Sequence, residues 1–461
     1  MITQKVFTNE LENRIDPHYY KPEFLRLISQ MSKGGKQLKP LSEVSIKIAS
    51  GATPLSGGSA YTDRANGIPF IRSGDINENE TINYDDILYI KESIHDKTLK
   101  SSKLQKDDVL IAIVGATIGQ VSVYKEGEEA NINQAIAIVR CSEKINPRYV
   151  KAFLLSDIGQ KQLERIKRPV ARANINLEEV GSIKIPLVPI QLQNKIADIM
   201  QNAYLAKEEK LKQADELLNS IDGYVRQQLG IDYTEPEEKK AYFVNADELQ
   251  NRRHDPYYYK PDFIMLEKTL LSSKAVRLGS LLKSITNGLD YRKFSEDGTL
   301  EYLRVSNVKP YKIDYTEVKR VGLNQSDISK NIFGKKDDVL LTRKGTYGNS
   351  VSLEQDLNAL ISSEVFLLKV DTEKVNPHYL SIFLNSSLGQ KQFLRNKVGA
   401  IMGSLSQEAV RDTYVLIPNV VKQIDIVNQV KEQIKKSNEL RQQAKTIVED
   451  AKKQVEEMIL N

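Results

Sequence analysis

The feature that most constrains this chain is that it is written twice. Residues 13–22, NRIDPHYYKP, return as NRRHDPYYYKP at 251–261. DDVL at 107–110 recurs at 337–340, Asn146-Pro147 recurs as Asn376-Pro377, and GQKQ at 159–162 recurs at 389–392. The offset is 239 at the start and 230 from Asp107 onward. An ordered series of this kind means two copies of one folding unit whose loops have changed length.

Each copy has the same internal order. A helical lead-in ending in Lys21-Pro22 or Lys260-Pro261 comes first. Short β-type runs punctuated by Gly, Asn and Asp follow: IPFIRSGDI, DDVLIAIVG and NQAIAIVRC in the first copy, LEYLRVSNV, DDVLLTRKG and SSEVFLLKV in the second. A helix is expected at about 147–166 and 377–396, with Pro147 and Pro377 in its first turn. An Ile-Pro strand closes each unit, at 183–190 and 415–418. The expected fold is therefore a mixed α/β tandem duplication.

A long helix follows each unit. Leu211, Ala214, Leu218, Ile221 and Val225 step by three and four, as do Ala444, Val448, Ala451, Val455 and Met458, which is the seam of a coiled coil. A single helix with so narrow an apolar stripe needs a partner, and its twin is in the same chain. Antiparallel pairing is expected, with Gly230 closing the first helix. About 30 residues make a rod of about 45 Å, somewhat over one DNA turn of about 34 Å. The expected domains are 1–189, a central helix at 190–230, a linker and second domain at 231–418, and a C-terminal helix at 419–461.

Composition excludes several function classes. At roughly 150 residues per domain, 461 residues predict two to four domains. The balance of 66 basic against 61 acidic residues gives +5, too little to argue nucleic-acid binding unless the cations are sorted onto one face. Cys141 is the single cysteine, which rules out an internal disulfide or a Cys-based zinc cluster. Apolar runs are short, as in Val109 to Val114, and the polar start is no secretory signal, so a cytoplasmic protein without a membrane span is expected. His18, His95, His254 and His378 have no metal-ligand spacing. GATIG at 115–119 lacks the Lys-Ser/Thr of a phosphate loop and reads as a tight turn, while GTYG at 345–348 loses its spacing. Asp16-Pro17-His18-Tyr19 and Asp255-Pro256-Tyr257-Tyr258 lack the second proline of an adenine amino-methyltransferase motif. Pro261-Asp262 with Glu267-Lys268 has the wrong spacing for a nuclease. No catalytic site, metal or bound cofactor is expected.

The segment IPLVPIQLQNKI (185–196), at the junction of unit and helix, resembles the same junction in type I restriction-modification specificity subunits. GATP at 51–54, GIPFIRSGDI at 67–76 and ARANINLEEV at 171–180 resemble that family's target-recognition domain. The resemblance covers the whole chain. The second copy departs from it: IPNVVKQIDIV (417–427) is two residues shorter between its Ile-Pro and the helix, and MGSLSQEAV replaces RANINLEEV. The resemblance implies a non-catalytic subunit that selects double-stranded DNA sequence. Each target-recognition domain would read half of a bipartite target, and the helices would set the gap. They would also dock modification subunits, expected as two, which methylate adenine at N6 using S-adenosylmethionine. Restriction subunits that use ATP to translocate DNA would join the complex.

Base readout needs side-chain donors and acceptors at groove edges, and phosphate contacts need cations, hydroxyls and loop N–H groups. In copy one the candidates are Thr53, Arg72, Ser73, Asp75, Thr117, Gln120, Arg168, Arg172, Asn174 and Asn176. In copy two they are Tyr291, Arg292, Arg304, Ser306, Asn307, Arg343, Lys344, Tyr347, Ser404 and Ser406. The unlike strips RANIN and MGSLS predict unlike half-sites. The alternatives are a duplicated coiled-coil adaptor that binds proteins, the recognition subunit of a related enzyme with fused nuclease and methylase, and a self-sufficient methyltransferase, for which the cofactor loop is missing.

Overall fold

The structure is a computed structural model and describes residues 14–31, 37–54, 59–77, 81–168, 173–232, 241–245, 253–323, 332–399 and 403–460. It divides into two compact units, one drawn from 1–212 with 440–461, the other from 213–439. The division falls inside the two long helices, Ile190–Gln228 and Val420–Leu460, so each unit contains part of both.

In the first unit a four-stranded antiparallel sheet has the order Ser45–Ser50, Ile136–Cys141, Val109–Ala112, Val121–Val123. All four residues of Val109–Ala112 are buried, the mark of a strand covered on both faces rather than half-solvated. Val109, Ile111, Ala137 and Val139 face a core shared with Tyr149, Phe153 and the long helices. Leu110, Ile136 and Ile138 face a second core with Ile71 and Ile132. Behind that core lies an outer sheet ordered Tyr61–Thr62, Leu88–Ile90, Ile68–Ile71, Asn131–Ile132, its last pairing parallel.

The second unit repeats this layering. Its central sheet is ordered Leu282–Asn287, Val365–Val370, Val339–Thr342, Ser350–Ser352. Val339, Leu341, Phe366 and Leu368 face the helical core; Leu340, Val365 and Leu367 face the outer one. The outer layer keeps the same pairing order, Lys319–Val321, Leu300–Leu303, Ala359–Ile361, with the last pair again parallel. Phe294 bridges Val321 where Tyr61 pairs with Ile90, and the hairpin Val308–Lys309 and Lys312–Ile313 stands where copy one has the Ile76–Ile82 bridge.

Two local expectations need refinement. In copy two the lead-in is a short 3-10 helix, Pro256–Tyr259, closed by Lys260; in both copies a further helix, Pro22–Met31 or Pro261–Ser272, begins at the proline, whose missing N–H costs nothing in a first turn. The expected helix at 147–166 is two helices, Pro147–Leu155 and Asp157–Ile166, broken at Ser156, whose extended backbone (ψ 161°) lets its hydroxyl cap the second by accepting from Gly159 N. Pro377–Asn385 and Ser387–Asn396 break at Ser386 with the same extended backbone (ψ 163°), where Gly389 N donates to the Ser386 backbone carbonyl instead of the hydroxyl. Asn146 and Asn376 cap the preceding helices, each accepting from the N–H two residues on.

The seam is formed as read. Ala214, Ile221, Val225, Ala444, Val448, Ala451 and Val455 are buried, and Leu211, Leu218 and Met458 are half-buried. In the second unit the pairs Gln228 with Lys422, Ser220 with Gln433, and Ala214 with Ser437 step in opposite directions along the two helices, so they run antiparallel. Ser437 Oγ donates to Ala214 O at 2.9 Å, a polar seam position where two small residues meet. In the first unit the beginning of the first long helix (Ile196, Met200, Ala203) shares a core with the end of the second (Ala451, Val455, Ile459). Gly230 takes φ +66° after the first helix, and Ile231 N reaches back to Arg226 O at 3.0 Å, the C-cap geometry that favours glycine. Among the described residues no helix is long and apolar enough to cross a membrane.

Candidate nucleic-acid interface

Backbone hydrogen bonds gather the candidate loops onto one edge of each copy. In copy one Asn133 N donates to Ile71 O (3.0 Å), which ties the loop beginning at Arg72 to the turn 133–135. Ile113 N donates to Ala135 O and Ile113 O accepts from Ile175 N, both at 2.9 Å; Gly115 N donates to Ala173 O (3.0 Å). Thr53 Oγ1 donates to Gln134 Oε1. A Cβ on Gly51 would lie 1.7 Å from Ile132 O, so only glycine lets the chain pass beneath that strand. Thr53, Arg72, Ser73, Thr117 and Asn174 are thereby drawn together.

Copy two is laced equivalently. Ser362 N donates to Leu303 O (2.8 Å), Arg343 N to Glu364 O (2.9 Å), Leu405 N to Arg343 O (2.8 Å), and Gly345 N to Gly403 O (3.2 Å). Leu289 N donates to Ile361 O (2.8 Å), and Gly288, with a Cβ position 1.9 Å from Ile361 O, takes the part of Gly51. This assembles Tyr291, Arg304, Ser306, Arg343, Lys344, Tyr347 and Ser404. GTYG keeps its relation to GATIG despite the shorter spacing: Gly115 and Gly345 have φ +78° and +73°, Gly119 and Gly348 +95° and +93°.

The candidates divide by how their side chains are engaged. Asn176 and Glu179 form a reciprocal capping box, and Ser406 caps the next helix through Ala409 N. Asp75 and Asn307 are buried and hold the turns that follow Arg72 and Arg304. Arg168 pairs with Glu179 at 3.0 Å. Gln120 Oε1 is buried without a partner among the described residues. Arg292 has an 86% exposed side chain, 3.4 Å from Asp290. Thr53, Asn174, Ser306 and Lys344 are exposed, and Arg72, Ser73, Thr117, Tyr291, Arg304, Arg343, Tyr347 and Ser404 half-exposed. Arg172 lies outside the described residues. Burial pushes the Tyr347 phenol up, which keeps it a neutral donor.

The turns themselves carry further polar groups that no motif marks. Asn133, Gln134, Ser362 and Ser363 stand on the same edge, as does Gln407, whose Nε2 donates to Asn287 Oδ1 at 3.1 Å. The available signal was a polar pair just before a continuous apolar strand, NQ before AIAIV and SSE before VFLL.

The decoy motifs have structural occupations. Asp16 Oδ1 and Asp255 Oδ1 accept from Tyr19 N and Tyr258 N, closing the Asp-Pro turns. Tyr19 and Tyr258 lie beneath Arg165 and Arg395 at 3.8 and 4.1 Å. Among the described residues no three His, Cys, Asp or Glu side chains converge to hold a metal. Burial pushes the Cys141 thiol up to about 12, far from a nucleophile's range. The edge offers hydroxyls, amides, guanidinium groups and loop N–H groups, which suits recognition of an anionic, hydrogen-bonding polymer.

The family model for the type I restriction modification DNA specificity domain matches twice, at residues 34–217 and 272–450. The EcoBI type I restriction enzyme specificity subunit of Escherichia coli is 30% identical over 161 residues, which is 35% of this chain and 33% of that protein. The match thus spans about a third of that relative's length. The EcoKI specificity subunit of Escherichia coli strain K12 is 20% identical over 379 residues, 79% of this chain and 75% of that one. A chain from a solved structure concerned with the assembly and conformational transition of the type I R-M system superposes with a TM-score of 0.51 at 14% identity, covering 92% of this chain and 97% of that one.

Proposed function

This chain belongs to the type I restriction-modification DNA specificity family, and from that premise we propose that it selects the DNA sequence on which a methylating and restricting complex acts. Each unit's edge reads one half of a bipartite, asymmetric target. The paired helices fix the gap between halves and dock two N6-adenine modification subunits, which hold S-adenosylmethionine. ATP-using restriction subunits join them. This chain performs no chemistry itself. In copy one Thr53, Ser73, Thr117 and Asn174 face DNA, with Arg72, Asp75 and Asn176 shaping the loops. In copy two Tyr291, Arg304, Ser306, Arg343, Lys344, Tyr347 and Ser404 face it, with Asn307 and Ser406 in the shaping role.

The single observation that carries this reading is the contrast within the duplication. The helix-facing layer and the pairing of the outer sheet are the same in both copies, while the side chains on the edge differ, Asp75 against Asn307, Ile113 against Arg343 and Val114 against Lys344. A scaffold held constant under a varied polar edge is what two unlike half-sites require. Co-expression with the neighbouring methyltransferase gene, followed by single-molecule mapping of N6-methyladenine, tests it. The expected result is one bipartite motif with unlike halves and a fixed gap. A stable complex that leaves no motif would refute the specificity reading and favour a protein-binding adaptor. Deleting one heptad from Leu211–Val225 with its partner heptad should change the gap and leave both half-sites intact.

A further inference from the structure

One arginine stands at the same turn in both copies, beside a neighbour of different charge. Arg72 follows strand Ile68–Ile71, and Arg304 follows Leu300–Leu303. Each backbone N–H donates to the side chain three residues on: Arg72 to Asp75 Oδ2 at 2.7 Å, Arg304 to Asn307 Oδ1 at 3.0 Å. Asp75 O accepts from Asn83 N and Asn307 O from Asp314 N, each at 2.7 Å. Each guanidinium reaches across the loop, Arg72 Nη2 to Asp86 O at 3.2 Å and Arg304 Nη2 to Glu317 O at 3.1 Å. The two sockets have the same shape.

Their electrostatics differ. Asp75 also accepts from Arg72 Nε (3.2 Å) and Nη2 (2.9 Å), a forked ion pair. A guanidinium held that way has its charge cancelled and its donors occupied. Asn307 offers no charge: its Oδ1 takes the Arg304 N–H, and its Nδ2 donates to Asp314 O at 2.9 Å. Arg304 Nε is buried with no hydrogen-bond partner among the described residues. No ion pair engages the Arg304 guanidinium among the described residues, in contrast to Arg72, so its charge stays available to an incoming anion. Beside it on the same edge, Arg343 Nε is likewise unpartnered, its guanidinium 5.1 Å over the Phe366 ring, and Lys344 is exposed. Copy one has Ile113 and Val114 at those two places.

We propose that Arg304 is a phosphate-gripping guanidinium of the second copy, left available because Asn307 stands where copy one has Asp75, and that Arg72 is a strut of its own loop. This rests on the DNA-recognition reading above. The full-length chain is titrated with duplexes selected from a randomised pool at several salt concentrations, and the melting temperature of every variant is recorded. Arg304→Ala and Asn307→Asp should each lower the slope of log affinity against log salt by about 0.9, one phosphate contact, with the fold retained. Asp75→Asn should raise the slope by about the same amount. Arg72→Ala should lower the melting temperature and leave the slope unchanged. The proposal is overturned if Arg72→Ala and Arg304→Ala lower the slope equally, if Asn307→Asp leaves it unchanged, or if Arg304→Ala weakens binding at one base pair only. A wild-type chain without salt-dependent DNA binding would remove the recognition reading itself, and would do so before any variant is made.

Discussion

Compared layer by layer, the two copies are nearly identical on one side and divergent on the other. On the helical side the glutamine and tyrosine hydrogen bonds repeat one for one. Gln162 pairs in both directions with the backbone of Lys184, and Gln392 with that of Tyr414. Gln160 Nε2 donates to Gly119 O and Leu154 O, and Gln390 Nε2 to Gly348 O and Leu384 O. Tyr149 Oη donates to Pro186 O and Tyr379 Oη to Leu416 O. On the outer side the strands pair in the same order, but the matched edge positions Asp75 and Asn307, or Ile113 and Arg343, differ in chemistry. Buried bonds to backbone leave no freedom to vary without cost. Edge loops make few such bonds through their side chains, so they are free to change what they touch.

The sharpest way to break this comparison is at the repeated glycine of GQKQ. A Cβ on Gly159 would lie 2.2 Å from Phe153 O, and one on Gly389 2.5 Å from Leu384 O. Both contacts are to backbone, which cannot step aside. Gly159→Ala and Gly389→Ala should each destabilise their own unit by about 3 kcal/mol or more. Hydrogen exchange on the intact chain would localise the loss to 147–166 or to 377–396. If one substitution unfolds its helix pair and the other leaves protection intact, the two scaffolds are not equivalent.

A smaller effect is expected at the junction with the long helices. Gln193 Oε1 accepts from Asn146 N at 2.8 Å while its Nε2 donates to Val188 O at 2.9 Å. Gln423 does the same with Asn376 N at 2.9 Å and Pro418 O at 2.8 Å. Both side chains are buried, so alanine at either position strands a backbone donor and a carbonyl. About 1–3 kcal/mol should be lost in each case, measured by urea unfolding. Unequal losses would locate a difference that the hydrogen bonds conceal.

Much of this was legible in the sequence. The duplication, the central strands and the seam follow from repetition and periodicity, which report burial directly. The glutamines of GQKQ were visible as a repeat, but their purpose was not, because each bonds backbone far away in sequence. Asp107-Asp108 and Asp337-Asp338 are similar: the first aspartate of each pair takes φ +69°, and the second is buried against Arg140 or Lys369. The candidate edge was half legible. Loops could be assigned to it, yet Asp75 and Arg304 look alike in a list of polar loop residues. Only the geometry separates an acceptor already filled from a donor left open.

The smallest expected effect is also the one that distinguishes the copies by pH. After the repeated Asn-Pro, copy one has Arg148 and copy two His378. Burial lowers the His378 pKa from the ordinary 6.5, and Lys431 nearby adds to this while Glu354 opposes it. Its Nδ1 lies 2.6 Å from Ser352 Oγ. The folded second unit therefore prefers the neutral ring. As pH falls below about 6.5 the unfolded chain takes up a proton that the folded chain declines, which favours unfolding. Stability from this source is present above that pH and is lost on acidification until the folded ring also titrates. Copy one has no histidine at the matched place, so this source of acid sensitivity belongs to the second copy. Glu354 is held below its usual range first by the hydrogen bond from Lys431, so its own loss of charge comes at lower pH and does not overlap. Hydrogen exchange at about pH 7 and about pH 5.5 should show 377–396 opening more readily in acid, relative to 147–166, and His378→Gln should abolish that difference. An acid response shared by both segments, or one that survives His378→Gln, would assign it to groups the two copies have in common.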